Sequence, residues 1–215
     1  MFNFQRLGII LLMGIISALL WNTPVLYPFR IFVVFIHESS HALASILTGG
    51  KVLQLSVSPD ESGFVRQIGG NSLLTASAGY IGSSVFGGLV LVFSEKKKNA
   101  RYVFFILAVL VGFMTIAYVR NLFGITFGLL ATAGFWFLYS RDFSFSSYFL
   151  DFIGVTSSLY AIYDLTDFLI FDARTDAVIL SEITFIPATI WALLWSVISI
   201  LVLFYSLRKT IFRSQ

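Results

Sequence analysis

Residues 37 to 41 read His-Glu-Ser-Ser-His, and a separation of four puts both imidazoles on one face of a helix. That spacing suits a single metal ion. Glu38, beside the first His, can take a proton from a metal-activated water and pass it to a leaving amine, which is the chemistry of zinc hydrolases. His37 and His41 are the only two histidines in the chain. Random placement would set two His four apart with Glu in this slot in roughly two of ten thousand such sequences, so the pattern argues for a metal centre. Packing or interhelical hydrogen bonding without metal is the alternative for the pair. Three ionisable side chains within five residues of an apolar segment cost several kcal/mol unless a metal and a polar cavity compensate them.

Catalytic zinc takes three protein ligands and keeps a position open. The chain has no Cys, so a carboxylate must supply the third. Asp164 and Asp167 stand three apart in an apolar sequence and share a helical face. They are the best-placed acids, with a water-facing helix end as the alternative for each. Asp151 is a weaker candidate near the start of its span, where a helix amino terminus or the interface could hold it. Asp172, Asp176 and Glu182 read as a solvated acidic loop, and Asp60 and Glu61 as a turn.

The elements that carry these residues are those of an integral membrane protein. The chain has 215 residues, of which 58% are hydrophobic and 12% charged, and its mean hydropathy is +0.90. Apolar stretches recur along its whole length, which excludes a soluble domain on one anchor. The expected architecture is a single all-α polytopic domain over residues 1–215, with about six to seven transmembrane helices. Apolar spans fall near residues 7–20, 31–47, 73–93, 102–119, 122–139, 145–171 and 186–207. The first follows Arg6 but lacks a convincing cleavage site, and is read as a retained helix. The third is rich in Gly, Ala and Ser, which let helix backbones approach closely. After the motif helix, Val52 to Val57 and Phe64 to Ile68 flank Ser58-Pro59-Asp60-Glu61-Ser62-Gly63, the pattern of a short β-hairpin.

A net charge of +3 and a pI near 9.2 reflect loop Lys and Arg, so membrane topology explains them and nucleic acid is not an expected partner. With seven spans, Arg30, Lys96, Lys97, Lys98, Arg101, Arg141, Arg208, Lys209 and Arg213 fall inside. Arg6, Lys51, Arg66, Arg120 and Arg174 fall outside. The carboxyl terminus is then cytoplasmic, and one re-entrant stretch would bring both termini to the same side.

His37-Glu38-Ser39-Ser40-His41-Ala42-Leu43-Ala44, Thr48-Gly49-Gly50-Lys51 and Ser77-Ala78-Gly79-Tyr80-Ile81-Gly82 together resemble the site-2 protease family of intramembrane zinc metallopeptidases, in its compact peptidase-like branch. Arg120-Asn121-Leu122-Phe123-Gly124 and Tyr160-Ala161-Ile162-Tyr163-Asp164 are also similar, so the resemblance covers most of the chain. It implies zinc held by the two motif His and by an Asp of a later transmembrane helix, with peptide bonds cut in or near transmembrane segments of other membrane proteins. The local similarity favours Asp164. The family's Asp-Gly context and Asn-Pro element are missing here, which keeps Asp167 as the alternative.

In this reading Asn121 or Asn71 is a candidate oxyanion or substrate-binding donor. An interhelical polar contact is the competing role for Asn121. The hairpin offers an edge strand to an unwound substrate. Two other classes remain: a membrane scaffold or chaperone that keeps the protease fold without cutting, against which the intact Glu38 speaks, and a metal transporter using Asp151, Asp164 and Asp167. Oligomeric state is not legible.

Overall fold

The computed structural model describes residues 4–141, 143–170 and 175–212, without the side chains of Lys97, Ala161 and residues 164–170. Eight helices and one hairpin follow in the order α1 (Phe4–Leu20), α2 (Tyr27–Leu47), β1 (Lys51–Val57), β2 (Gly63–Ile68), α3 (Ser72–Phe93), α4 (Lys97–Tyr118), α5 (Leu122–Ser140), α6 (Ser146–Ile170), α7 (Asp176–Thr184) and α8 (Ala188–Phe212). Among the described residues α2, α3, α4, α5 and α8 are long and apolar enough to cross a membrane. At 1.5 Å per residue such helices match a hydrocarbon core of about 30 Å. The expected all-α membrane fold with a hairpin behind the motif helix is present.

The central helix is α3, which packs against α2, α6 and α8. Its small residues permit this: Ser83, Ser84, Gly87 and Gly88 are buried, and the Ser84 hydroxyl lies 2.5 Å from that of Ser199 on α8. The three-residue link Val119–Asn121 folds α5 back along α4, so these two form an antiparallel pair. A cluster around Phe35, Phe104, Leu107 and Leu150 joins α2, α4 and α6.

β1 and β2 form one antiparallel pair, with Val57 opposite Gly63 and Lys51 opposite Ile68. The other edge of β1 is covered by a bridge from Leu55 to Val119 and a bond from the Arg120 backbone N–H to the Leu55 carbonyl. The polar turn is tied to the start of α2. Arg30 reaches Glu61 through Nε and Nη2, at 2.6 and 2.5 Å, and also donates to the Trp21 and Thr23 carbonyls. Arg30 is therefore a buried anchor of the hairpin inside α2, not the loop cation expected from the sequence.

Two further expectations are corrected. The stretch read as an acidic solvated loop contains α7, which buries Ala177 and Leu180 against Tyr80, Ala192 and Trp195. Arg6, expected across the membrane from the Lys96 to Arg101 cluster, instead donates to the Glu95 carbonyl and pairs with Asp151 at 2.7 Å. At this same end the Thr210 hydroxyl reaches Leu91. The amino end of α1 and the carboxyl end of α8 thus lie together, beside the Lys96 to Arg101 cluster.

Candidate active site

Helix α2 presents His37, Glu38 and His41, all buried, toward α3, β2 and α7. Their ligand atoms lie within 4.8 Å of one another. A carboxylate that the sequence placed in solvent completes the group: Asp176 Oδ2 is 3.0 Å from His37 Nε2 and 3.1 Å from His41 Nε2. Asp176 opens α7, and the apolar face that α7 buries against α3 and α8 carries it inward. Burial pushes the Asp176 carboxyl up, but the His41 charge and the bonds from both imidazoles outweigh this and hold it well below the usual carboxylate range. It is ionised at neutral pH.

The His41 tautomer follows from its other nitrogen. Nδ1 lies 2.6 Å from the Thr75 carbonyl, which can only accept, so Nδ1 carries the proton. In the neutral ring, Nε2 then directs a lone pair at the Asp176 carboxylate, which is also an acceptor. Two acceptors at this distance require a proton or a cation between them. Gly79 of α3 makes room for the pair: a Cβ there would fall 2.5 Å from Nε2 of His41 and closer still to that of His37.

Glu38 is held from the opposite side. A Cβ on Gly63, the first residue of β2, would lie 2.6 Å from Glu38 Oε1, so the strand backbone rests directly on this carboxylate. His37, Glu38, His41 and Asp176 line one cleft of about 490 Å³, together with Gly63, Val65 and Gln67 of β2 and with Tyr80 and Tyr160.

The model of the peptidase M50B-like family matches residues 10–206. The chain belongs to this family. No curated protein and no solved structure gives a significant match. The peptidase M50B-like family is of membrane metallopeptidase type, and with five apolar helices the chain is a multi-pass integral membrane protein.

The residues of this M50B-like chain fit a zinc ion. Two imidazole nitrogens and one carboxylate oxygen form the donor set of catalytic zinc, and tetrahedral donors on bonds of 2.0–2.2 Å stand about 3.3–3.6 Å apart. The two imidazole-to-Asp176 separations, 3.0 and 3.1 Å, are a few tenths of an ångström shorter. Among the described residues the buried His37 Nδ1 has no hydrogen-bond partner of the kind Thr75 gives His41; the Tyr80 and Tyr160 rings pack edge-on against that imidazole.

Other candidates are placed elsewhere. Asp164 and Asp167 belong to α6, and their side chains lie outside those described, as does Asp172. Asp151 Oδ1 accepts from both Arg6 and Ser94 at 2.7 Å, so it locks α1 to α6. Asn71 caps α3 by accepting from the Leu74 N–H. Asn121 does not line the cleft; its Oδ1 accepts from the Val57 N–H at 3.2 Å and its Nδ2 donates to the Val57 carbonyl at 2.6 Å. Its side-chain amide thus extends the ladder of β1. Sequence reading passed over Asp176 because its acidic neighbours and flanking polar residues hide the start of a helix. The one available signal was Thr175 before the apolar run Ala177 to Leu180, the pattern of a helix start.

Proposed function

We propose that this chain is an intramembrane zinc endopeptidase that cuts transmembrane segments of other membrane proteins. The observation that carries this reading is the convergence of His37, His41 and Asp176 beside Glu38 in one cleft. His37, His41 and Asp176 would hold the zinc, with Asp164 or Asp167 the alternatives for the third place. A bound zinc supplies Lewis acidity, polarising a peptide carbonyl and making water acidic. Glu38 takes the proton of the attacking water and returns it to the leaving nitrogen. Gly63 keeps its carboxylate in place from behind.

A transmembrane helix must be unwound to expose a scissile bond, and its freed backbone groups then need partners in lipid. Since β1 is covered on both edges, β2 offers the open one among the described residues. A substrate strand added there would run past Glu38. The metal-transporter reading loses Asp151, which Arg6 and Ser94 engage.

The orientation is part of the proposal. Arg6, Lys96, Lys98, Arg101, Arg141 and the Arg208–Lys209 pair gather at one end of the bundle, against Lys51, Arg66 and Arg120 at the other. The positive-inside rule makes the richer end cytoplasmic, and with it the carboxyl end of α8. His41 bonds to Thr75, one turn into α3, whereas Glu95 lies past its far end. The cleft therefore sits in the half of the membrane away from the cytoplasm.

The deciding experiment is Glu38→Gln in the purified protein with a reconstituted transmembrane substrate. Zinc content should stay near one per chain while turnover falls by about a hundred to ten thousand fold. Turnover in the variant equal to that of a cutting parent would remove Glu38 from the mechanism, and no turnover by the zinc-loaded parent would leave a non-catalytic scaffold as the better description.

A further inference from the structure

Besides His37 Nδ1, three polar atoms of residues that line the cleft are buried without a hydrogen-bond partner among the described residues: Gln67 Oε1 on β2, Thr75 Oγ1 on α3 and Thr175 Oγ1 just before α7. Burying one such group unsatisfied costs about 1–3 kcal/mol, and a folded protein tolerates three in one cavity when something else completes them. Thr75 also fixes His41 through its carbonyl, and Thr175 directly precedes Asp176. The two threonines thus border the metal-binding group, and Gln67 lines the same cleft. The rest of the lining is mixed, with apolar Val34, Val65, Ile179 and Ile183 beside polar Glu61, Ser62 and Ser72.

Strand periodicity turns this into a register. On β2 the positions 63, 65 and 67 share a face, and all three line the cleft. Gly63 abuts Glu38, Val65 offers an apolar contact, and Gln67 lies about 13 Å along the strand from Gly63 at 3.3 Å per residue. A substrate strand paired with β2 places the side chain opposite Gln67 four residues from the one opposite Gly63, pointing into the cleft.

We propose that Gln67 is a specificity-determining residue: it selects substrates with a hydrogen-bonding side chain, such as Asn, Gln, Ser or Thr, about four residues from the scissile bond. The inference rests on the endopeptidase reading. A buried acceptor that loses its donor discriminates far more strongly than an apolar pocket that loses a methylene. The site therefore rejects Leu at that position although Leu suits the surrounding lipid better.

The test uses the full-length protein in liposomes with a panel of transmembrane substrates in which Asn or Leu is moved one residue at a time through five positions on each side of the cut. The parent should prefer Asn over Leu by tenfold or more at one position, on the order expected for an unsatisfied acceptor, and show little preference at its neighbours. Gln67→Leu should abolish or invert this preference while cutting the Leu substrate at least as fast. That gain separates selection from a merely structural role, since a damaged hairpin would slow every substrate. Equal cleavage of all panel members by parent and Gln67→Leu would overturn the proposal and leave the endopeptidase reading standing. No cleavage of any substrate by the parent would remove both, and only that outcome touches the wider reading.

Discussion

The backbone of Gly63 lies so close to the Glu38 carboxylate that a Cβ would stand 2.6 Å from both Glu38 Cγ and Oε1. The hairpin is thereby a wall of the site as well as a place for substrate to add. Gly63→Ala should displace Glu38 and leave His37, His41 and Asp176 in place. Turnover is expected to fall on the order of a hundredfold, as for a reacting group moved by about 1 Å, with zinc content unchanged. Zinc analysis and single-turnover rates on the same preparation check it; a variant that cuts at the parental rate would show that Glu38 needs no such wall.

The third ligand can be assigned by metal content alone. Asp176→Ala is expected to lose most of its zinc, because a two-imidazole site lacks the charge and ligand number of catalytic zinc. Asp164→Ala and Asp167→Ala are measured beside it. Zinc retained in the Asp176 variant and lost in the Asp164 variant would return the role to α6.

Asn121 should matter for stability and not for the reacting carbonyl. Asn121→Ala removes both bonds to Val57 and should cost about 1–2 kcal/mol of stability. The readout is a lowered unfolding temperature in detergent, with kcat retained at temperatures well below it. A kcat loss of a hundredfold in a fully folded variant would instead mark Asn121 as a transition-state donor.

Orientation can be read directly because the chain has no native Cys. Lys51→Cys, at the start of β1, should react in intact cells with a membrane-impermeant maleimide, whereas Asn99→Cys, beside the lysine cluster, should react only after permeabilisation. The opposite pattern would place the cleft on the cytoplasmic side.

Local pattern was enough for a large part of this protein. The four-residue spacing of His37 and His41 identifies one helical face whatever the rest of the chain does. The alternation around a polar turn gives the hairpin, and the length of the apolar runs gives the spanning helices, since lipid forbids unsatisfied backbone within them. Each of these signals is complete within about 20 residues. The partners brought from afar were not legible. Asp176 meets His37 across 139 positions, and what turns it inward is the burial of Ala177 and Leu180 against α3 and α8. Read alone, it is one acid among several in a polar stretch. For Asn121 the sequence left a donor role and a polar contact both open, and only the bridge between Leu55 and Val119 sets it against Val57. Likewise Arg6 took its side of the bundle only through Asp151 and Glu95. Sequence determined which residues could do chemistry and on what kind of element, because period and hydropathy are local. Tertiary packing alone decided which carboxylate meets the two imidazoles and which end of the bundle holds them, because those depend on helices that only the folded core brings together.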